Sequence, residues 1–212
     1  MSDEELTALA LAAGKGDRAA LAEFIRATQR DVWRFVAHLT DVQSADDLTQ
    51  ETFLRAMRSL PRFAGRSTAR TWLLSIARRV VVDRFRSAAA RPKNAQLAEW
   101  QQDLDHRREH ERPDFPEEMA IADLLRALPA ERREAFVLTQ VLGLTYAEAA
   151  QTVGCPTGTI RSRVARARET LVALLQAAET PTPREPIGAP VRLPLGARSA
   201  IGGIGPGIAE VV

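Results

Sequence analysis

The chain has 212 residues, one cysteine and a formal net charge of +2, a length that suits one large or two small domains. A lone cysteine excludes a disulfide framework, and no apolar run is long enough to span a bilayer or follows a charged leader, so a cytoplasmic protein without membrane insertion is expected. Aromatic residues are only 5% of the chain, and Ala, Leu, Arg and Glu dominate, a composition that favours helix over strand.

Charge is segregated along the chain. Residues 1–60 carry 7 basic and 10 acidic side chains, residues 61–91 carry 8 against 1, residues 92–118 carry 4 against 8, and residues 156–168 hold four arginines and no acid. Two separate basic stretches imply two contacts with a polyanion, although a solvated basic face explains either of them alone.

Ser2 and Glu5 form a capping-box pattern that opens a short helix with Leu6, Leu9, Ala10 and Ala13, interrupted at Gly14 and Gly16. After Asp17 the apolar positions Leu21, Phe24, Ile25, Val32, Phe35, Val36 and Leu39 predict a long amphipathic helix. Ser44 with Asp47 starts a third, whose inner positions run from Leu48 through Phe53 and Ala56 to a stop at Pro61. Its early turns hold Asp46, Asp47, Gln50 and Glu51, which also suit the helix dipole.

The fourth helix, about Ala69 to Arg86, has two chemically distinct faces at 100° per residue. Leu73, Leu74, Ala77, Val80 and Val81 make the core face, whereas Trp72, Arg79, Asp83 and Arg86 line the opposite side with Arg78 flanking. An aromatic among arginines suits stacking on unpaired bases, and Phe63 in the preceding loop is a second candidate ring. The alternative is that both rings merely pack.

Between Ala88 and Glu118 the periodicity lapses, charge is dense and Pro92, Pro113 and Pro116 appear, so a linker is expected. His106 and His110 there fit an inverted zinc-peptidase pattern, but a catalytic zinc needs a third ligand and a dry cavity. No metal, cofactor or catalytic residue is therefore assigned. His38, in an apolar helix, is read as structural.

Periodicity resumes from Met119 with Ile121, Leu124, Leu125 and Leu128, and Pro129 opens a helix carrying Ala135, Phe136, Leu138 and Val141 that ends at Gly143. Thr145 and Glu148 form a second capping box for a short helix Tyr146 to Val153, with a turn at Gly154 and Cys155 and then Pro156. The last helix places Ile160, Val164, Ala167, Leu171 and Leu174 inward. Gly158, Arg161, Ser162, Ala165, Arg166 and Glu169 then face outward. A short helix, a tight turn and a basic second helix make a helix-turn-helix. Arg161 and Arg166 suit guanine, Ser162 is a versatile donor and acceptor, and Ala165 suits a thymine methyl. Arg163 and Arg168 are placed to grip phosphates, as are the amides near Thr157, Gly158 and Thr159.

The fold expected is all-α, two small helical domains joined by a flexible linker, the C-terminal one a helix-turn-helix. Its divisions are 1–88, a linker at 89–118, 119–179 and a Pro- and Gly-rich tail at 180–212 read as disordered.

Three stretches in order resemble the extracytoplasmic-function sigma factors, the smallest members of the bacterial sigma-70 family. They are Ser44-Ala-Asp-Asp-Leu-Thr-Gln-Glu-Thr-Phe-Leu-Arg-Ala56, then Arg70-Thr-Trp-Leu-Leu-Ser-Ile-Ala77, then Gly143-Leu-Thr-Tyr-Ala-Glu-Ala-Ala150 with Cys155-Pro-Thr-Gly-Thr-Ile-Arg-Ser-Arg-Val-Ala-Arg-Ala-Arg168. The resemblance implies a factor that joins core RNA polymerase and binds two promoter elements, with the β′ clamp helices and the β flap as polymerase contacts and an anti-sigma factor as a further possible partner. It places Asp46, Asp47, Leu48, Gln50, Glu51 and Phe53 at the β′ clamp helices. Phe63, Trp72, Arg78, Arg79 and Arg86 fall at the minus-ten element, and the arginine face of the last helix falls at the minus-thirty-five element. Arg79 stands where many relatives carry a polar amide, and Ala165 where many carry a bulkier side chain. The rival reading is a free-standing helix-turn-helix regulator, which has no use for an aromatic, basic face on Ala69 to Arg86.

Overall fold

The computed structural model describes residues 1–90 and 124–179, which are helical with no strand among them. The linker and tail expected from the sequence lie largely outside these residues.

Helix α1 (Asp3–Gly14) starts at the expected capping box, in which Ser2 Oγ accepts from the Glu5 amide and the Ser2 amide donates to the Glu5 carboxylate. Asp17 caps α2 (Arg18–Leu39) by accepting from the amides of Ala19 and Ala20. Helix α3 (Val42–Ser59) begins earlier than the Ser44–Asp47 pattern suggested, because Asp41 is the cap and takes both the amide and the hydroxyl of Ser44. A 3-10 turn (Leu60–Arg62) holding Pro61 ends it. This turn sits hard against α1, since a Cβ on Gly14 would lie 2.6 Å from the Leu60 carbonyl oxygen. Only a residue without a side chain permits that approach.

Helix α4 (Ala69–Ala90) completes the first half of the molecule. Its inner residues Leu73, Leu74, Ala77 and Val80 are at most 2% exposed and join Phe24, Phe35 and Val36 of α2 in the core, as the period of 3.6 required.

The second half enters on a helical turn at 124–126. Helix α5 (Ala130–Phe136) follows Pro129 and runs into a π turn (Val137–Val141), where the Leu142 amide donates to the Val137 carbonyl. The sequence pattern suggested uninterrupted α-helix here. Helix α6 (Tyr146–Val153) has the expected capping box between Thr145 and Glu148. Gly154 caps its end at φ +77°, in the left-handed region that glycine enters without strain. The turn delivers α7 (Thr157–Glu179), whose Ile160, Val164 and Ala167 are fully buried. Residues 1–179 make one compact unit, in which α6 packs on α4 and the start of the second half packs on α2.

Candidate nucleic-acid and partner-docking surfaces

Helix α3 presents Asp46, Asp47 and Gln50 to solvent with Glu51 half-buried, whereas Leu48 and Phe53 are 9% and 8% exposed and belong to the core. A partner on this face therefore meets the polar residues, and Leu48 and Phe53 hold the helix that carries them. Leu54 and Met57, which the motif did not single out, extend the exposed face at 46% and 37%. Asp46 is oriented by the Trp33 indole N–H at 2.9 Å. Arg55 bridges Glu51 of its own helix, at 2.7 Å, to Asp83 of α4, at 2.6 Å. These hydrogen bonds, to Asp83 first and then Glu51, hold the Arg55 guanidinium more firmly protonated than usual.

The face of α4 opposite the core is less open than periodicity implied. Trp72 and Phe63 are half-buried and touch each other, with ring centres 4.8 Å apart and planes tilted by 38°. Arg79 and Arg86 are exposed. Arg78 donates from Nε to the Glu134 carboxylate of α5 at 2.7 Å, so nucleic acid reaches this guanidinium only where that pair has parted. Burial pushes the Glu134 carboxyl above the ordinary carboxylate range, against the opposing pull of Arg78.

A second tie between the halves runs through Arg70 of α4. It meets Asp31 of α2 at 2.6 Å and donates to the Leu142 carbonyl, just beyond the π turn, at 2.6 Å. Carbonyls released at a helix end need a donor, and this guanidinium supplies one.

Helix α7 turns its expected face outward: Gly158, Arg161, Ser162, Ala165, Arg166 and Arg168 are all exposed. Thr157 and Thr159 are half-buried in the first turn. The Arg161 guanidinium lies 6.0 Å from the centre of the Tyr146 ring, a cation–π approach that steadies a long side chain at the head of the helix. Ser162 Oγ donates to the Thr159 carbonyl and keeps its lone pairs for a ligand donor. Two flanking arginines are braced from the preceding helical segment: Arg163 by Glu131 at 2.6 Å and Arg168 by Gln140 at 2.7 Å. Neither brace was visible in the sequence, because 32 and 28 residues separate the partners.

Among the described residues, no group of three His, Cys, Asp or Glu side chains is placed to hold a metal ion, and no helix is long and apolar enough to cross a membrane. The His106–His110 pair lies outside the described residues. The assembled surfaces can bind, by an acidic face on α3 and basic faces on α4 and α7. They bring together no nucleophile, base and orienting partner.

Comparison with known proteins places two family descriptions on this frame: Sigma-70 region 2 over residues 24–91 and Sigma-70, region 4 over residues 118–171. The ECF RNA polymerase sigma factor SigC of Mycobacterium tuberculosis is 56% identical over 171 residues, 81% of this chain and 91% of its own. The ECF RNA polymerase sigma-E factor of Escherichia coli is 30% identical over 166 residues, 74% of this chain and 87% of its own. Of solved structures, CnrH in complex with the cytosolic domain of CnrY aligns with a TM-score of 0.62 at 26% identity, over 82% of this chain and 98% of that one. The sigma factor RpoE of Bartonella quintana, in complex with the anti-sigma factor NepR, aligns with a TM-score of 0.54 at 26% identity, over 73% and 96%.

Proposed function

The chain belongs to the extracytoplasmic-function branch of the bacterial sigma-70 family, and from that premise we propose how its exposed faces divide the work of an alternative sigma factor. The protein binds core RNA polymerase and directs promoter-specific transcription initiation. In our reading residues 1–88 form the part that docks on polymerase and reads and melts the minus-ten element. Residues 119–179 read the minus-thirty-five element and lie toward the β flap, and residues 89–118 link the two.

The observation that carries this division is the contrast of charge on exposed faces. Asp46, Asp47 and Gln50 of α3, with half-buried Glu51, suit a basic partner surface such as the β′ clamp helices, with Leu54 adding an apolar contact. Arg161, Ser162 and Arg166 of α7 face a groove edge-on, the geometry of base readout. Arg163 and Arg168 stand at its sides for phosphates. Trp72 and Phe63, with Arg78, Arg79 and Arg86, form the aromatic and basic set that unpaired minus-ten bases would need.

An anti-sigma protein, the kind of partner in the solved Bartonella complex, is the third partner we propose. The factor works where polymerase works, in the cytoplasm, and by binding rather than by chemistry of its own.

Run-off transcription with core polymerase over a library of promoter fragments tests this reading. A specific transcript above the core-only background is expected. Sequence-specific duplex binding by the chain alone, with no such transcript, would instead establish a free-standing regulator.

A further inference from the structure

Between the first turn of α5 and the flank of α7 lies a cleft of about 450 Å³, lined by Glu131, Arg132, Thr159, Ser162, Arg163 and Arg166 among others. Three guanidinium groups and two hydroxyls converge there, the donor set of an anion site. Glu131 is the one carboxylate in the lining, and it lies on Arg163 at 2.6 Å. The two partners differ in setting: the Glu131 side chain is 73% exposed and that of Arg163 only 21%. The carboxylate thus covers a half-sunken guanidinium from the solvent side, where an arriving anion would come to rest. Arg132 and Arg166 form no ion pair with any described residue.

We propose that this cleft binds a DNA backbone phosphate beside the upstream promoter element, and that Glu131 is a built-in occupant which the phosphate displaces from Arg163. The proposal rests on the reading of α7 as the upstream-element helix and deepens it. A helix in the major groove is flanked by sugar-phosphate backbone, and the cleft opens along α7 on the side of Arg166, itself on the base-reading face. An exposed carboxylate is displaced cheaply, because its ion pair is worth little in water. Arg132 then becomes a phosphate-contacting residue outside the helix-turn-helix, and Glu131 restrains promiscuous binding by keeping Arg163 neutralised away from DNA.

Counterion release separates this role from that of a simple brace. Each phosphate neutralised contributes about 0.9 to the slope of log affinity against log salt. When a phosphate merely replaces Glu131, the freed carboxylate recovers a cation and the exchange adds almost nothing. The test uses holoenzyme assembled from core polymerase and the full chain, with a promoter that the wild-type holoenzyme selects from random DNA, titrated across salt concentrations. Glu131→Gln should tighten binding about two- to fivefold at low salt, the range of one exposed ion pair, and steepen the slope by about 0.9. That gain should vanish when Arg163→Ala is added. Arg132→Ala should make the slope shallower by about 0.9. Weaker binding by Glu131→Gln, or an unchanged slope, would make Glu131 a brace and overturn the proposal, as would an unchanged slope for Arg132→Ala. Arg161→Ala is the control for the underlying reading: if it leaves affinity and base preference intact, the assignment of α7 to the upstream element fails instead.

Discussion

Helices α4 and α7 carry comparable arginine faces, yet the protein treats them in opposite ways. On α4 the face is largely spoken for: Trp72 packs on Phe63, Asp83 pairs with Arg55, Arg78 with Glu134, and Arg70 with Asp31 and the Leu142 carbonyl. On α7 the central residues Arg161, Ala165 and Arg166 stand in solvent, and only the flanking Arg163 and Arg168 are engaged. Periodicity assigns the two faces equally well, but availability depends on what the rest of the chain brings against them. The α7 face is ready for duplex DNA as it stands, whereas the α4 face becomes fully accessible only by giving up contacts that hold the two halves together.

The largest effect expected from that contrast is at Trp72. Trp72→Ala removes a half-buried ring that packs both on Phe63 and on the core, so it should cost about 2–4 kcal/mol of stability in denaturant melts, somewhat below the range for a fully buried aromatic. At a temperature where the variant is folded, it should impair open-complex formation more than closed-complex binding, because stacking is gained only after bases leave the duplex. Equal losses at the two steps would leave Trp72 a packing residue alone. On α7, Arg161→Ala or Arg166→Ala should hardly move the melting temperature, yet should cost about 1–3 kcal/mol of promoter affinity and relax base preference. Arg168→Ala should weaken binding evenly across sequences and reduce the salt slope by about 1. The opposite pattern in a base-substitution series would exchange the roles of the two faces.

The smallest effect concerns acidity at the junction. Burial raises the folded-state acidity constant of Glu134 above its unfolded value, so the folded state binds this proton more tightly than the unfolded chain does. Its contribution to stability is then fully present below the ordinary glutamate value and declines as pH rises through the raised one. Melting temperatures of the wild type and Glu134→Gln, compared across that window, should move in favour of the wild type as pH falls. Parallel curves would show that Arg78 compensates the burial of its partner in full.

What could be read from the sequence was local. Both capping boxes and the inward positions of all long helices follow from side chains within a turn or two of each other, and the left-handed turn at Gly154 needs only its own residue. The start of α3 was displaced because Asp41 reaches Ser44, so a capped residue looked like a cap. Leu48 and Phe53 were grouped with the docking residues since they share the motif, although helical spacing alone puts them inward. The pairs Arg78–Glu134, Arg163–Glu131 and Arg70–Leu142 span dozens of residues and have no local signature. The linking contacts, and therefore which predicted site residues stand free, had to come from the fold.

The π turn at Val137–Val141 bears on how much variation in chain length this junction tolerates. Such a turn amounts to one residue more than an α-helix would use over the same span. Deleting a single residue there would let the segment relax to ordinary helix and rotate everything after it by roughly 100°, swinging the Leu142 carbonyl away from Arg70. Substitutions in this segment should therefore be absorbed far more easily than a one-residue deletion, which would uncouple the helix-turn-helix from the helices that precede it.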